Sequence, residues 1–236
     1  MNRSESKKLS SVSFFCPAYN DEENLPILIP HVDAFLSDIA QVYEILIIED
    51  GSPDRTNEVA DQLARKYKNV RVIHHGQNQG YGATLRDGFM NAKYDFVIYT
   101  DGDNQYDIYD LNPYLAMLGK SDVLAGYAIK KAVSNYRKMQ SLIFNLLVRV
   151  LFFVNFKDID CALKVFKKEV LKNMTIQSTS SFIDAEMLIK AKKSGSKISQ
   201  FPVHHFPRQH GIASGAKLHV IAATIRDMLM YRLGVL

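Results

Sequence analysis

The feature that most constrains this chain is an alternation. Apolar runs of strand length at 12–16, 43–48, 70–74, 96–100 and 123–125 are separated by segments of helical period at 25–39, 56–67 and 83–92. Parallel neighbours need a crossover, and a helix is the usual one, so strand-helix alternation predicts a mostly parallel sheet with helices on both faces. Such strands are buried on both sides and read as continuous apolar runs, as these do. No internal repeat or long linker interrupts the pattern, so residues 11–236 are read as one α/β domain behind a flexible tail at 1–10.

In a sheet of this kind ligands bind beyond the carboxyl ends of the strands. Three strands end there in polar loops: "CPAYNDEEN" after the first, "EDGSPDRT" after the second and "DGDNQYD" after the fourth. One such loop is adequately explained by helix capping. Three acidic loops on one edge repel each other unless a cation or a donor-rich ligand lies among them. Asp101 and Asp103, two apart in a turn, can aim both carboxylates at one point, and Gln105 adds a neutral oxygen. Hard oxygen donors of this sort suit Mg²⁺ or Mn²⁺ shared with a diphosphate. The missing side chain at Gly102 would let a phosphate approach the backbone. The chemistry implied is displacement of a nucleotide leaving group.

Composition narrows the partners. The formal charge of +4 is too small to argue for nucleic acid, and it is clustered at 130–131, 137–138, 164–172 and 190–197. Clusters like these meet phosphates or an anionic lipid surface. Cys16 and Cys161 have neither metal-ligand spacing nor a disulfide framework. With a polar N-terminus that lacks an apolar signal region, they suggest a cytoplasmic setting. The histidine pairs His74–His75 and His204–His205 are adjacent, so on a strand each pair faces opposite ways and a zinc cluster is not expected.

The segment 141–156 is strongly apolar but shorter than the ~18 residues of a membrane span, and Asn145 and Arg149 interrupt it. On a helix Lys138, Ser141, Asn145 and Arg149 form one polar stripe. Both an internal core helix and an amphipathic anchor lying in the bilayer interface fit that pattern. The stretch 218–236, with Arg226 and Arg232, is a second segment of the same kind.

Taken in order and spacing, "PAYNDEENL", "YEILIIEDGSPDRT", "NQGYGATLRDG" and "DGDNQ" resemble the family 2 inverting glycosyltransferases. The form Asp101, Asp103, Gln105 is similar to the dolichol-phosphate mannose synthase type, which glycosylates a polyprenyl phosphate. The resemblance continues more weakly through "VLAGY", "DIDCALKVFKK", "FIDAEM" and "FPVHHFPRQHG". It implies a nucleotide-diphospho-sugar transferase fold of GT-A type, with 11–126 as the nucleotide-sugar half and 127–236 as the acceptor half with amphipathic helices. It implies further that Pro17, Tyr19, Asp21, Glu49 and Asp50 hold the base and ribose of a GDP- or UDP-sugar. Gly82 would pack against the nucleotide. Asp101 and Asp103 would carry the metal, assisted by Gln105, and Arg137 and Arg208 would meet the acceptor phosphate.

The sequence departs from the family pattern in several places. Glu49 stands where Asp is usual, and Asp21 where Glu is frequent. Tyr127 and Ala128 replace a Ser-Arg pair, with Lys130 or Lys131 as substitutes, and "RQHGIASGAK" displaces Lys217. Asp158, Asp160, Asp184 and Glu186 could supply a general base, Asp160 and Asp184 foremost. A sugar-hydroxyl acceptor therefore stands beside the phosphate acceptor, and a sugar nucleotidyltransferase or an inactive binding module behind both. A homo-oligomer and peripheral attachment to the cytoplasmic membrane face are compatible with all of these readings.

Overall fold

The structure is a computed structural model that describes residues 8–211 and 217–236. Seven strands form one sheet in the order β3-β2-β1-β4-β6-β5-β7. They are β1 (Leu9–Ala18), β2 (Ala40–Glu49), β3 (Val70–His74), β4 (Phe96–Tyr99), β5 (Val123–Ala128), β6 (Lys164–Lys167) and β7 (Ile198–Val203). The helices are α1 (Leu25–Ile39), α2 (Thr56–Lys66), α3 (Tyr81–Asn91), α4 (Asn135–Phe152), α5 (Lys168–Lys172), α6 (Ile183–Lys193) and α7 (Leu218–Arg232), with a 3₁₀ segment at Ile108–Gly119. The strand-helix alternation read from the sequence is present. The tail expected at 1–10 falls mostly outside the described residues, but Leu9 already pairs with Ala40, so the sheet starts earlier than the sequence suggested.

Every pairing is parallel except those of β6, which runs antiparallel to both β4 and β5. Side chains on β1 divide between the two faces with the two-residue period of a strand. Val12, Phe14 and Cys16 join the core beneath α1 and α2, while Phe15 joins the core beneath α3 and α6. The chain steps from β1 outward to β2 and β3, then returns to place β4 on the other side of β1. This reversal opens a crevice at the carboxyl ends of β1 and β4, where Asp101 and Asp103 follow β4 directly.

The apolar segment expected to be helical over 141–156 lies instead on a helix from Asn135 to Phe152, which Phe153 ends in a left-handed conformation. The helix starts early because the Ser134 hydroxyl caps it by accepting from the Arg137 backbone N–H at 3.3 Å. Its orientation is inverted relative to an ordinary surface helix. Asn145 is 5% exposed, whereas Leu142, Ile143, Leu146 and Val150 are all more than half exposed. The same inversion recurs in α7, where Thr224 and Asp227 are buried and Leu218, Ile225 and Leu229 face outward.

Close packing of α3 on β1 depends on Gly88. A Cβ at that position would lie 2.2 Å from the Phe15 ring, and that ring is fixed between Phe89 and Tyr99. Gly88→Ala is expected to lower stability by about 1–3 kcal/mol through overpacking, read as a shift in the urea midpoint with unchanged slope. A neutral or stabilising result would mean that α3 can slide away from β1.

Candidate active site

The three acidic loops meet because β1 lies between β2 and β4, and hydrogen bonds then tie them together. The Asp21 backbone N–H donates to the Thr56 hydroxyl at 2.8 Å, Asp50 N–H to the Ala18 carbonyl at 3.0 Å, and the Asn104 side-chain amide to the Asn24 carbonyl at 2.9 Å. Asp21 itself is turned inward. Its carboxylate accepts from the Tyr19 backbone and the Asn24 amide, and burial raises its proton affinity. Tyr19 turns outward from this loop, as do Asn20 and Glu23.

Desolvation first, then the neighbouring Asp103 and Asp184, push the Asp101 carboxyl up to about 8 against the opposing effects of Tyr81 and Lys164. Such a site gains from an added cation. Arg208, from the loop after β7, already grips the Asp103 carboxylate, while its buried Nε has no hydrogen-bond partner among the described residues. The loop is fastened by pairing Phe206 N–H to the Gln105 carbonyl at 2.8 Å and the Gln105 amide to the Phe206 carbonyl at 3.0 Å. Among the described residues no three His, Cys, Asp or Glu side chains form a ready-made metal sphere. Two carboxylates with the rest of the sphere left to phosphate and water is the arrangement Mg²⁺ favours. The residues present therefore fit a divalent ion that arrives with a diphosphate.

Two glycines act differently from the sequence reading. The space at Gly102 is taken by the Pro17 carbonyl, 2.5 Å from where a Cβ would be, and the space at Gly82 by the Thr179 backbone. Both glycines serve chain-to-chain approach, which leaves Pro17 as a packing neighbour of the Asp101–Asp103 turn.

The carboxylates read as possible bases are held by lysines. Lys164, counted in the sequence with a surface cluster, has no solvent exposure. Its ammonium donates to Asp184 at 2.6 Å and to the Tyr99 hydroxyl at 2.9 Å. Tyr99 also donates to Asp184, and the Tyr81 hydroxyl lies 3.0 Å from Asp101 and 3.2 Å from Asp184. Asp158 and Asp160 share the Lys131 ammonium at 2.7 and 3.0 Å, with Asn145 and Ser141 of α4 also donating to Asp160. Burial opposes ionisation of Asp160, but Lys131 and these donors outweigh it and hold the carboxyl well below the usual range. Of the two lysines offered as substitutes for the missing arginine, Lys131 is thus the one engaged in the fold.

Glu49 ends β2 in register with His74, which ends β3, and Asp50 and His75 follow one residue beyond. His74 lies between Glu49 at 3.1 Å and Asp61 at 3.2 Å, and His75 between Asp50 at 2.6 Å and Asp87 at 2.8 Å. The two rings do face opposite ways. Asp50 is consumed inside the protein, since it also accepts from the backbone of Gln79 and Gly80 at 2.8 and 2.9 Å. Glu49 accepts from the Ser52 N–H and borders a cavity of about 480 Å³ with Ser52, Asn57, Asp61 and His74. Arg137 lies half-buried in the first turn of α4. Tyr81, Tyr99, Lys131, Lys164 and His75 were not singled out by the sequence for these roles. Lys164, alone among apolar residues in "ALKVF", carried the one visible signal, a charge inside a strand.

The model of glycosyl transferase family 2 matches residues 13–175, well over half of the chain, and the protein belongs to that family. It is 29% identical over 84% of its length to glycosyltransferase AglD of Haloferax volcanii, covering 33% of that protein. It is 27% identical over 88% of its length to an undecaprenyl-phosphate 4-deoxy-4-formamido-L-arabinose transferase of Yersinia enterocolitica, covering 63% of it. The chain thus spans between one third and two thirds of these curated relatives. Among solved structures, glucosyl-3-phosphoglycerate synthase of Mycobacterium tuberculosis, in complex with Mn²⁺, UDP and glucosyl-3-phosphoglycerate, superposes with a TM-score of 0.74. Sequence identity is 16%, over 95% of this chain and 80% of that one, so the GT-A fold is shared.

Removing one partner of a buried ion pair leaves the other charge unpaired, which typically costs about 3–5 kcal/mol. Lys164→Met is expected to destabilise by that amount in chemical denaturation, and Lys164→Met combined with Asp184→Leu to recover most of it. Additive losses in the double variant would show that the two charges are not coupled.

Proposed function

We propose that this protein is an inverting glycosyltransferase that moves a sugar from a UDP- or GDP-sugar to a polyprenyl phosphate at a membrane surface. The relatives named for undecaprenyl-phosphate transfer support the acceptor class. The single observation that carries it is that Asp184 and Asp160 are each neutralised by a lysine and filled by further donors, while Asp158, pushed up to about 7 by burial and by Asp160, has one oxygen on Lys131 and the other on the Ala128 N–H. A sugar hydroxyl requires a base with a free lone pair and an adequate proton affinity. A phosphate monoester arrives ionised and requires only cations to bring it near a second anion. Arg208 beside Asp103, with Arg137 at the start of α4, supplies guanidinium groups suited to that task.

In this reading a phosphate oxygen of the acceptor attacks the anomeric carbon from the side opposite the diphosphate. The bond to the diphosphate breaks, the nucleoside diphosphate leaves, and configuration inverts. Asp101 and Asp103 would hold the divalent ion, which supplies positive charge to the departing diphosphate. Glu49, beside the cavity at the ends of β2 and β3, and the exposed Tyr19 are the groups left to meet base and ribose.

A panel of nucleotide sugars, Mg²⁺ or Mn²⁺, and either polyprenyl phosphate or oligosaccharide acceptors tests the assignment by release of nucleoside diphosphate. Release with the lipid phosphate is expected. Asp101→Asn, Asp103→Asn or excess EDTA should abolish it, and full turnover in EDTA would reject the metal role. Arg137→Ala and Arg208→Ala should each lower kcat/KM for the acceptor at least about tenfold, or ~1.4 kcal/mol, with a smaller effect from Asp160→Asn. The reverse order would mark a hydroxyl acceptor.

The membrane surface is supported by the inversion of α4 and α7. Among the described residues no helix is long and apolar enough to cross a membrane. The outward leucines of these two helices, with Lys138 and Lys157 on the border of α4, match an apolar layer beneath anionic headgroups. Flotation with anionic liposomes is expected to retain the protein at low salt. Leu142→Asp combined with Leu146→Asp should release it without lowering the melting temperature. A protein that ignores such liposomes at low salt would refute the surface role.

A further inference from the structure

His75 is a buried residue that the proposed chemistry does not use. It is faced by Asp50 from the end of β2 and by Asp87 from α3, while the neighbouring His74 turns to Glu49 and to Asp61 of α2. A carboxylate at each ring nitrogen is satisfied when both nitrogens donate, so these contacts favour the imidazolium form of the ring between Asp50 and Asp87. The Asp50 oxygen that accepts from His75 also accepts from the Gln79 N–H, and its other oxygen accepts from the Gly80 N–H. Gly80 leads directly into Tyr81, whose hydroxyl reaches both Asp101 and Asp184. Asp87 lies on the same helix that Tyr81 opens. The ion triad therefore clamps the loop from β3 to α3 at both its exit and the body of the helix that follows.

We infer that His75 is a positioning residue for the donor site, acting through Asp50 and the Gln79–Gly80 backbone to set where Tyr81 meets Asp101 and Asp184. Loss of the ring proton leaves one N–H for two carboxylates, so one end of the clamp is released. Burial disfavours the charged ring, but the hydrogen bonds to Asp50 and Asp87 outweigh it and raise its proton affinity above the ordinary value of ~6.5. The sign follows from that direction: the clamp is intact below the ordinary value and is lost as pH rises through the raised one. The structural part of this inference stands on the contacts alone, and its catalytic part rests on the transferase reading above.

The test follows residues 1–236, isotopically labelled, by NMR between about pH 6 and about pH 9. The amide resonances of Gln79 and Gly80 and the ring of Tyr81 are expected to move with the same midpoint as the His75 ring. Asp87→Asn should lower that shared midpoint by about one pH unit or more, since one stabilising carboxylate is gone, and Asp87→Glu should restore it. Still amides while the ring titrates, or a ring that does not titrate, would overturn the inference. In parallel, kcat/KM for the nucleotide sugar is expected to fall at least about tenfold across the same midpoint, chiefly through the donor KM. A pH profile indifferent to Asp87→Asn would overturn the positioning role. No turnover with any nucleotide sugar at any pH would reject the transferase reading, while concerted movement of the amides would still support the clamp.

Discussion

An ammonium group without access to water, that of Lys164, organises the centre of this protein. A buried charge persists only when paired and hydrogen-bonded, and Lys164 obtains its partners from three places at once. Asp184 stands in the first turn of α6, Tyr99 ends β4, and the Cys161 carbonyl lies in the loop leading to β6. Meeting that demand fixes the end of β4 against the start of α6, and the turn carrying Asp101 begins two residues beyond Tyr99. The acidic edge of the sheet is thus placed by a positive charge beneath it. Tyr81, between Asp101 and Asp184, completes the connection from buried pair to open crevice.

Much of the framework was legible in the chain because it depends on period alone. Five strands and three helices follow from apolar spacing, and Asp101 and Asp103 from carboxylates placed directly after a buried strand. The parts that were not legible depend on which polar group meets which. Asp50 reads as a ligand contact in "EDGS", yet His75, Gln79 and Gly80 take both of its oxygens. Lys164 reads as one of several clustered positive charges, yet solvent never touches it. Charge counts along a sequence do not encode burial. Gly82 and Gly102 read as places where nucleotide and phosphate come close, yet the backbone of Thr179 and Pro17 fills the space at each, and spacing cannot distinguish the two kinds of neighbour. The end of α4 at Phe153 was missed because residues 153–156 continue its apolar composition without continuing its hydrogen bonding.

Helices α4 and α7 share an arrangement in which polarity runs opposite to that of a water-facing helix. Asn145 and Ser141 bond the Asp160 carboxylate, and Asp227 accepts from Ser178, Thr179 and Ser180. Their inward faces are therefore specified by hydrogen bonds, which define a unique docking better than apolar contact does. Their outward leucines and isoleucines are freed from any packing duty within the fold. The polar stripe that looked like an interruption of an apolar segment is the part that attaches the segment to the rest of the protein.

Strand β6 carries a mechanical consequence. It is inserted antiparallel between β4 and β5, so the strands bearing the acidic loops and those leading to the Arg208 loop belong to one continuous ladder. A hinge within the sheet between β4 and β5 would have to tear that ladder and strip Lys164 of its partners together. Residues 204–211 lie across that ladder, fastened to the Asp103 turn by backbone pairing and by Arg208, and to Asp110 and Glu23 by His204 and His210. The scaffold behaves as an anvil, and the segment after β7 is a strap laid across it.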